Sequence, residues 1–371
     1  MKQEHRSNYS MKPDINILFQ DSIELLKALI GTPSYSREEQ ATAQLIEQFF
    51  QQKQIPVHRF LNNIWVTNHD FDPVKPTLLL NSHHDTVKPN PAYTIDPFMP
   101  IEKEGKLFGL GSNDAGGALV SLLAVFLYYY EQKELPYNIL FAATAEEEVS
   151  GKNGIEALLP QLPHINCGIV GEPTQMQMAI AERGLLVLDV IATGKPGHAA
   201  RNEGENALYK ALKDIEWFSQ YQFERVSDLL GPVKMSVTVI ETENKAHNVV
   251  PDQCKFVVDI RVNELYSFEE ILATIQQHIS STAVPRSVRI KSTAIPEHHP
   301  LVIAGTRIGR KTYGSPTTSD KALMPFLTLK MGPGDSARSH SADEFIYLNE
   351  IKEGIELYIA LLDQIMQNQT V

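Results

Sequence analysis

His83 and Asp85, one residue apart in SHHDTV, close an apolar run that begins at Thr77. Asp114 stands in GLGSNDAGG, Glu146, Glu147 and Glu148 in ATAEEEVSG, Glu172 in IVGEPT, and His340 in KMGPGDSARSHSADEF. Singly, each has an ordinary explanation: a strand cap, a solvated acidic face, a loop histidine. Together they all follow apolar, strand-like runs, and carboxylates gathered at one sheet edge repel each other and need a cation. Two histidines with three carboxylates suit zinc, and cobalt or manganese can substitute. Five ligands are too many for one catalytic zinc with an open position. Two metals sharing a bridging carboxylate, roughly 3.5–4 Å apart, fit better. GLGSNDAGG also resembles a dinucleotide-binding turn, but Asp114 puts a negative charge where a pyrophosphate must approach.

The elements that must position these residues alternate. Two helical patterns, broken by GTPSYS, fill the stretch from Asp14 to Gln54, and Ser36 with Glu39 reads as a capping box for the second. The runs IWVTN, TLLLNS, NILFAATA and CGIVGE read as strands, with ALVSLLAVFLYYYEQ and NGIEALLPQL as helices between them. This order predicts a largely parallel sheet with helices on both faces, whose strand ends carry the polar residues. From about Gly184 the pattern changes. LLVLDVIATG, ENALYKALKDIEWFSQY, VKMSVTVIETE, CKFVVDIRV, SFEEILATIQQHIS and RSVRIKST read strand, helix, strand, strand, helix, strand, a split βαβ pattern. AGTRIGRKTYG then reads as helix, FLTLKMGPG as strand and the segment from Leu348 as a final helix. The expected organisation is a small α+β domain, residues 183–294, inserted into a larger one made of residues 1–182 and 295–371.

A chain of 371 residues can bury a large core. The formal net charge of -12 argues against nucleic acid or an anionic membrane as partner, although a local pocket can still be cationic. Two cysteines, Cys167 and Cys254, make no disulfide framework and suit a reducing cytosol. The first residues, MKQEHRSNYSMKPD, lack the apolar core of a signal peptide, and SLLAVFLYYY is too short to span a bilayer. A cytoplasmic protein is expected.

The ordered set SHHDTV, GLGSNDAGG, TAEEE, VGEPT, GKPGHAA, NVVPD with DIRV, and GPGDSARSH resembles the two-zinc amidohydrolases. That family includes N-acetylornithine deacetylase, succinyl-diaminopimelate desuccinylase, aminoacylase and carboxypeptidase G. The resemblance covers nearly the whole chain. It implies an α/β fold, a zinc-peptidase-like mixed sheet flanked by helices, with an inserted ferredoxin-like dimerisation or lid domain. By the same resemblance His83, Asp114 and Glu172 hold one zinc, and Asp114, Glu148 and His340 the other. Asp85 would orient His83, and Glu147 would be the general base, leaving Glu146 a structural role. His198 would reach across a homodimer interface to the oxyanion in the partner subunit, unless it is a loop histidine without a role. Asn248 and Arg261 match positions that contact the substrate carboxylate. Arg183 would assist them, although a salt bridge within the fold explains it nearly as well. Thr318 and Ser319 match a pocket-lining loop. The implied reaction is hydrolysis of an N-acyl amino acid. The motifs put N-acetylornithine and arginine biosynthesis first; N-acetyl- or N-succinyl-citrulline or -ornithine, N-succinyl-diaminopimelate, or a di- or tripeptide are the alternatives. The chain departs from the family at Gly116, where lysine is frequent. His84, beside a ligand, is expected to point away, and His298 and His299 are read as non-ligands.

Overall fold

The computed structural model describes residues 12–201 and 203–367. They divide into two compact units, one within residues 1–180, 295–313 and 319–371, the other within 181–294 and 314–318.

The larger unit is built on a sheet ordered His58–Phe60, Asn63–Thr67, Asn138–Thr144, Thr77–His83, Cys167–Val170, Leu327–Lys330, Met178–Glu182. Its middle four strands run parallel. The flanking pairs are antiparallel, so the sheet is mixed and parallel only at its centre. Thr77–His83 and Asn138–Thr144 are buried at every position, as a parallel strand covered on both faces must be. Helix Gly117–Tyr130 is apolar all round and buried except at its last residue, packing against strand Thr77–His83 and against helices Ile15–Ile30 and Leu348–Gln367. Parallel strands end together. The turns after His83, Thr144 and Val170, and the segment after Lys330, therefore leave the sheet at the same end.

The smaller unit is a four-stranded antiparallel sheet ordered Lys234–Glu241, Gln253–Val262, Gly184–Thr193, Thr282–Pro285. Numbered along the chain this is 2-3-1-4, the split βαβ arrangement. Strands Gly184–Thr193 and Gln253–Val262 alternate buried and half-buried residues. The buried set (Leu186, Leu188, Val190, Phe256, Val258 and Ile260) forms one core with Phe218 of helix Ala207–Gln220 and Ile271 and Ile275 of helix Phe268–His278.

Three local expectations fail. The fourth strand of the smaller unit's sheet is Thr282–Pro285, not RSVRIKST, of which only Thr293 is in a strand, paired with Glu182; Thr282 to Pro285 pair with Ile191 to Leu188. The helix expected over AGTRIGRKTYG begins earlier, at Pro300, and ends at Arg307; Pro300 presets its first turn, His299 caps it, and Thr312–Ser315 is strand. Ser36 and Glu39 form no capping box for helix Gln40–Gln52, because both side chains have partners far along the chain. Among the described residues, no helix is long and apolar enough to cross a membrane.

Candidate metal centre

The strand ends bring five side chains together within the larger unit. Donor atoms of His83, Asp114 and Glu172 lie within 4.8 Å of one another, and so do those of Asp114, Glu148 and His340. Asp114 belongs to both groups. Its Oδ1 is 3.3 Å from His83 Nε2 and its Oδ2 is 3.6 Å from His340 Nε2. Glu172 Oε1 lies 3.8 Å from His83 Nε2, and Glu148 Oε2 lies 2.9 Å from His340 Nε2. Glu147 faces the same space, with Oε2 3.9 Å from His83 Nε2, and belongs to neither group.

Asp85 organises one side of this cluster. Its backbone carbonyl is 3.0 Å and its Oδ1 3.4 Å from His83 Nδ1, so Nδ1 keeps its proton and Nε2 is left to face Asp114. The same carboxylate accepts the backbone N–H groups of Glu147 and Glu148 at 3.1 and 3.2 Å and the Ser36 hydroxyl at 2.7 Å. One buried aspartate thus orients the histidine and anchors the acidic turn. Glu39 accepts from Asn62 Nδ2 at 2.9 Å and from the Glu146 N–H at 3.3 Å, so the would-be capping pair instead braces the turn from behind. Glu146 adopts a left-handed conformation, φ 56°, which swings the chain sharply out of the strand. Its carboxylate turns back to Asn153 Nδ2 at 2.8 Å, a structural use. Asp85→Asn would set an amide NH2 against a backbone N–H. It is expected to weaken metal binding by roughly 10–100-fold, read by equilibrium dialysis; unchanged affinity would remove Asp85 from this role.

The donor set fits a cation. Six carboxyl groups, Asp114, Glu147, Glu148, Glu172, Asp320 and Glu344, gather around two imidazoles. Burial drives Glu147 well above the usual carboxylate range, and the charges of Glu172, Asp320 and Glu148 add to this. Burial likewise raises Glu148, and pushes Asp320, which accepts the Thr144 hydroxyl, up to about 7. Burial pushes Glu344 up to about 8, with the Asp114 charge adding and three backbone N–H groups pulling back. Burial alone would lower His83, but Asp114 and Asp85 outweigh it and hold the imidazole well above its ordinary value. The hydrogen bond to Glu148 lifts His340 to about 9. Carboxyls raised by burial and by one another's charge, around imidazoles held above their ordinary value, are the mark of a site short of positive charge, which divalent cations supply.

Asp320 and Glu344 escape a reading of the sequence. Neither ends an apolar strand in the motif pattern; SADEF places Glu344 beside a motif, but its partners are backbone groups more than 200 residues away. His84 does point away: its Nδ1 meets the Thr42 hydroxyl at 3.0 Å, its Nε2 the Asn62 carbonyl at 2.9 Å, and burial lowers it to about 4. Gly116 has a steric reason. A Cβ there would sit 2.3 Å from the Gly111 carbonyl oxygen and 2.6 Å from Leu26 Cδ1, so no lysine fits this backbone.

The other residues expected at the site belong to neither donor group. His198 and Asn248 are brought together in the smaller unit, where Gly197–His198 pairs with Val249–Val250 and the Ala199 N–H donates to the Asn248 carbonyl at 2.9 Å. His198 Nδ1 accepts the Ala200 N–H at 3.1 Å, so its proton sits on Nε2. Arg261 is half-buried and holds Asp259 through Nε at 2.8 Å and Nη2 at 3.1 Å. Arg183 is tied through its guanidinium to the backbone carbonyls of Leu230 and Pro232, a use within the fold that differs from the salt bridge considered above. Thr318 belongs to the smaller unit and Ser319, which is buried, to the larger.

Residues 79–364 match the peptidase family M20/M25/M40. Among curated proteins, the chain is 26% identical over 275 residues to succinyl-diaminopimelate desuccinylase 2 of Ruegeria sp., covering 70% of this chain and 69% of that protein. It is 28% identical over 288 residues to the succinyl-diaminopimelate desuccinylase of Beijerinckia indica, covering 71% and 74%. Among solved structures, aminopeptidase PepT from Bacillus cereus superposes with a TM-score of 0.75 at 18% identity, over 96% of this chain and all of that one. The ornithine preference finds no counterpart in these relatives and rests on the motifs alone. The matched stretch runs from the strand that ends in His83 to the final helix and takes in every residue of both donor groups, and the chain belongs to the M20/M25/M40 family of metal-dependent hydrolases.

Proposed function

We propose that the protein hydrolyses the amide bond of an N-acyl amino acid, with two zinc ions, replaceable by cobalt or manganese, shared through Asp114. The observation that carries the reading is the Asp114 carboxylate, set between His83 Nε2 and His340 Nε2. Metal held there would polarise the scissile carbonyl and lower the pKa of water towards about 7. Glu147 Oε2 takes the proton of the attacking water and returns it to the leaving amine nitrogen. Asp85 holds the His83 ring in place while this happens. His198 Nε2–H acts as a donor to the developing oxyanion, and we place it in the partner subunit of a homodimer formed through the smaller unit. Arg261 would bind the substrate carboxylate through its guanidinium, and Asn248, Thr318 and Ser319 are assigned to substrate binding by the motifs they stand in. The free thiols of Cys167 and Cys254 fit a reducing cytosol.

Two acyl groups compete. Short motifs put N-acetylornithine first; relatives matched over two thirds of both chains put N-succinyl-diaminopimelate first. We place the succinyl substrate ahead, because the longer match weighs more than the motifs. Measuring kcat/KM for N-succinyl-diaminopimelate, for the acetyl and succinyl forms of ornithine and citrulline, and for unblocked di- and tripeptides decides it. The N-acyl acids are expected to exceed their α-amides by roughly ten- to over a hundredfold, the worth of a hydrogen bond to a charged group. Cleavage of the unblocked peptides alone would replace the deacylase reading with a peptidase.

A further inference from the structure

The strongest unassigned feature beside the donor groups is Glu344. Its side chain is almost fully buried, and it accepts three backbone N–H bonds from the turn that carries Asp114. Oε2 takes the Gly111 N–H at 3.1 Å; Oε1 takes those of Asn113 and Asp114, both at 2.9 Å. This turn contains little regular structure to hold it. Gly111 is left-handed, φ 75°, and Asp114 and Ala115 leave helical geometry before helix Gly117–Tyr130 begins. Three convergent N–H groups make a concavity for acceptor oxygens, and here the oxygens are those of a carboxyl group of the protein itself. Asn113 adds a second tie, exchanging hydrogen bonds with the backbone of Asp335: its Nδ2 donates to the carbonyl at 3.0 Å and its Oδ1 accepts the N–H at 2.9 Å.

Glu344 also lies four residues beyond His340, in a segment fastened at several points. Asp343 accepts the Thr94 N–H at 2.8 Å and the Thr94 hydroxyl at 2.5 Å. The His340 carbonyl accepts from Asn90 Nδ2 at 3.2 Å. Upstream, Arg338 grips Glu350 with two bonds of 2.7 and 2.9 Å. One short stretch therefore carries a histidine of the second donor group and the clamp on the aspartate common to both.

We propose that Glu344 is a positioning residue that fixes the Asp114 carboxylate between the two histidines, so that both metal positions depend on it although it touches neither. This rests on the two-metal reading given above. Glu344 holds the backbone N–H of Asp114 itself, with Asn113 tying the neighbouring residue, and so sets the direction in which the Asp114 side chain leaves the turn. Only a carboxylate can accept all three bonds, because an amide at this position has one oxygen and its NH2 would meet a backbone N–H.

Cobalt(II) titration of the purified full-length protein, followed by visible absorption and by equilibrium dialysis, tests this directly. The parent should take up close to two equivalents; uptake of none would sink the two-metal reading itself, before Glu344 is considered. Glu344→Gln should bind cobalt roughly 10–100-fold more weakly, the range for partners that orient metal ligands. Its absorption bands should shift, and excess metal should restore a large part of turnover. Glu344→Asp keeps both carboxyl oxygens on a shorter arm and should fall between the two. If Glu344→Gln does not fold, the ordering of Glu344→Asp below the parent in cobalt affinity, with circular dichroism unchanged, carries the same weight. Parent-like affinity and spectrum in folded Glu344→Gln, or in folded Glu344→Asp where the amide variant is lost, overturns the proposal.

Discussion

Glu147→Gln is expected to keep its fold and its full metal complement while turning over roughly 10²–10⁴-fold more slowly, the loss typical of a missing general base. The amide matches the carboxylate in size. The backbone of this turn stays anchored, since it is the Glu147 N–H, not the side chain, that binds Asp85. Neither donor group includes Glu147, so metal should be retained. What disappears is an oxygen that can accept a proton beside His83. Single-turnover rates combined with elemental analysis separate the two effects, and wild-type turnover by a metal-loaded Glu147→Gln would mean that the base is another residue. The same variant probes His198. Mixed dimers of Glu147→Gln with His198→Ala contain one site with both residues intact and should regain part of the activity. Verified mixed dimers that stay inactive would return His198 to its own subunit's site or remove it from catalysis.

Asp114→Ala should fail in the opposite way. Among the described residues, Asp114 is the only one common to both donor groups, so its loss strips a ligand from each. It also leaves Glu148 and Glu172 facing the same space without a shared centre. Metal uptake should collapse at both positions, and turnover should fall at least as far as in the base variant, by roughly 10²–10⁴-fold or more. Excess zinc should not restore it, in contrast to Glu344→Gln. Retention of both metals by Asp114→Ala, seen by equilibrium dialysis, would dissolve the bridge.

Much of this centre is legible in the sequence because parallel strands write themselves plainly. A buried run such as TLLLNS ends at the same edge of the sheet as its parallel neighbours, and the polar residues just past it, His83 among them, are therefore candidates for a site. The same logic carries Glu147, Glu148, Glu172 and His340. It stops where a residue's partner is a backbone group far along the chain. The pattern Ser36-x-x-Glu39 is indistinguishable, as letters, from a local cap; only the fold sends Ser36 to Asp85 and Glu39 to Asn62 and Glu146. Glu344 is hidden for the same reason. The short strand Thr282–Pro285 is eclipsed by RSVRIKST, whose alternation of Val288 and Ile290 mimics a half-buried strand although neither residue is in one.

Strand Leu327–Lys330 lies between Cys167–Val170 and Met178–Glu182, two strands that precede it by well over a hundred residues. During synthesis both neighbours emerge long before it does. Until then the sheet has a gap in its interior, with backbone groups of Cys167–Val170 open to any stray strand. The smaller unit, contiguous but for Gly314–Thr318, can form while the larger one waits. The segment that fills the gap also delivers His340. A nascent chain stopped before Leu327 therefore has three of the five candidate metal ligands tethered to an unfinished sheet, a fourth on a turn that has not met Glu344, and the fifth not yet made.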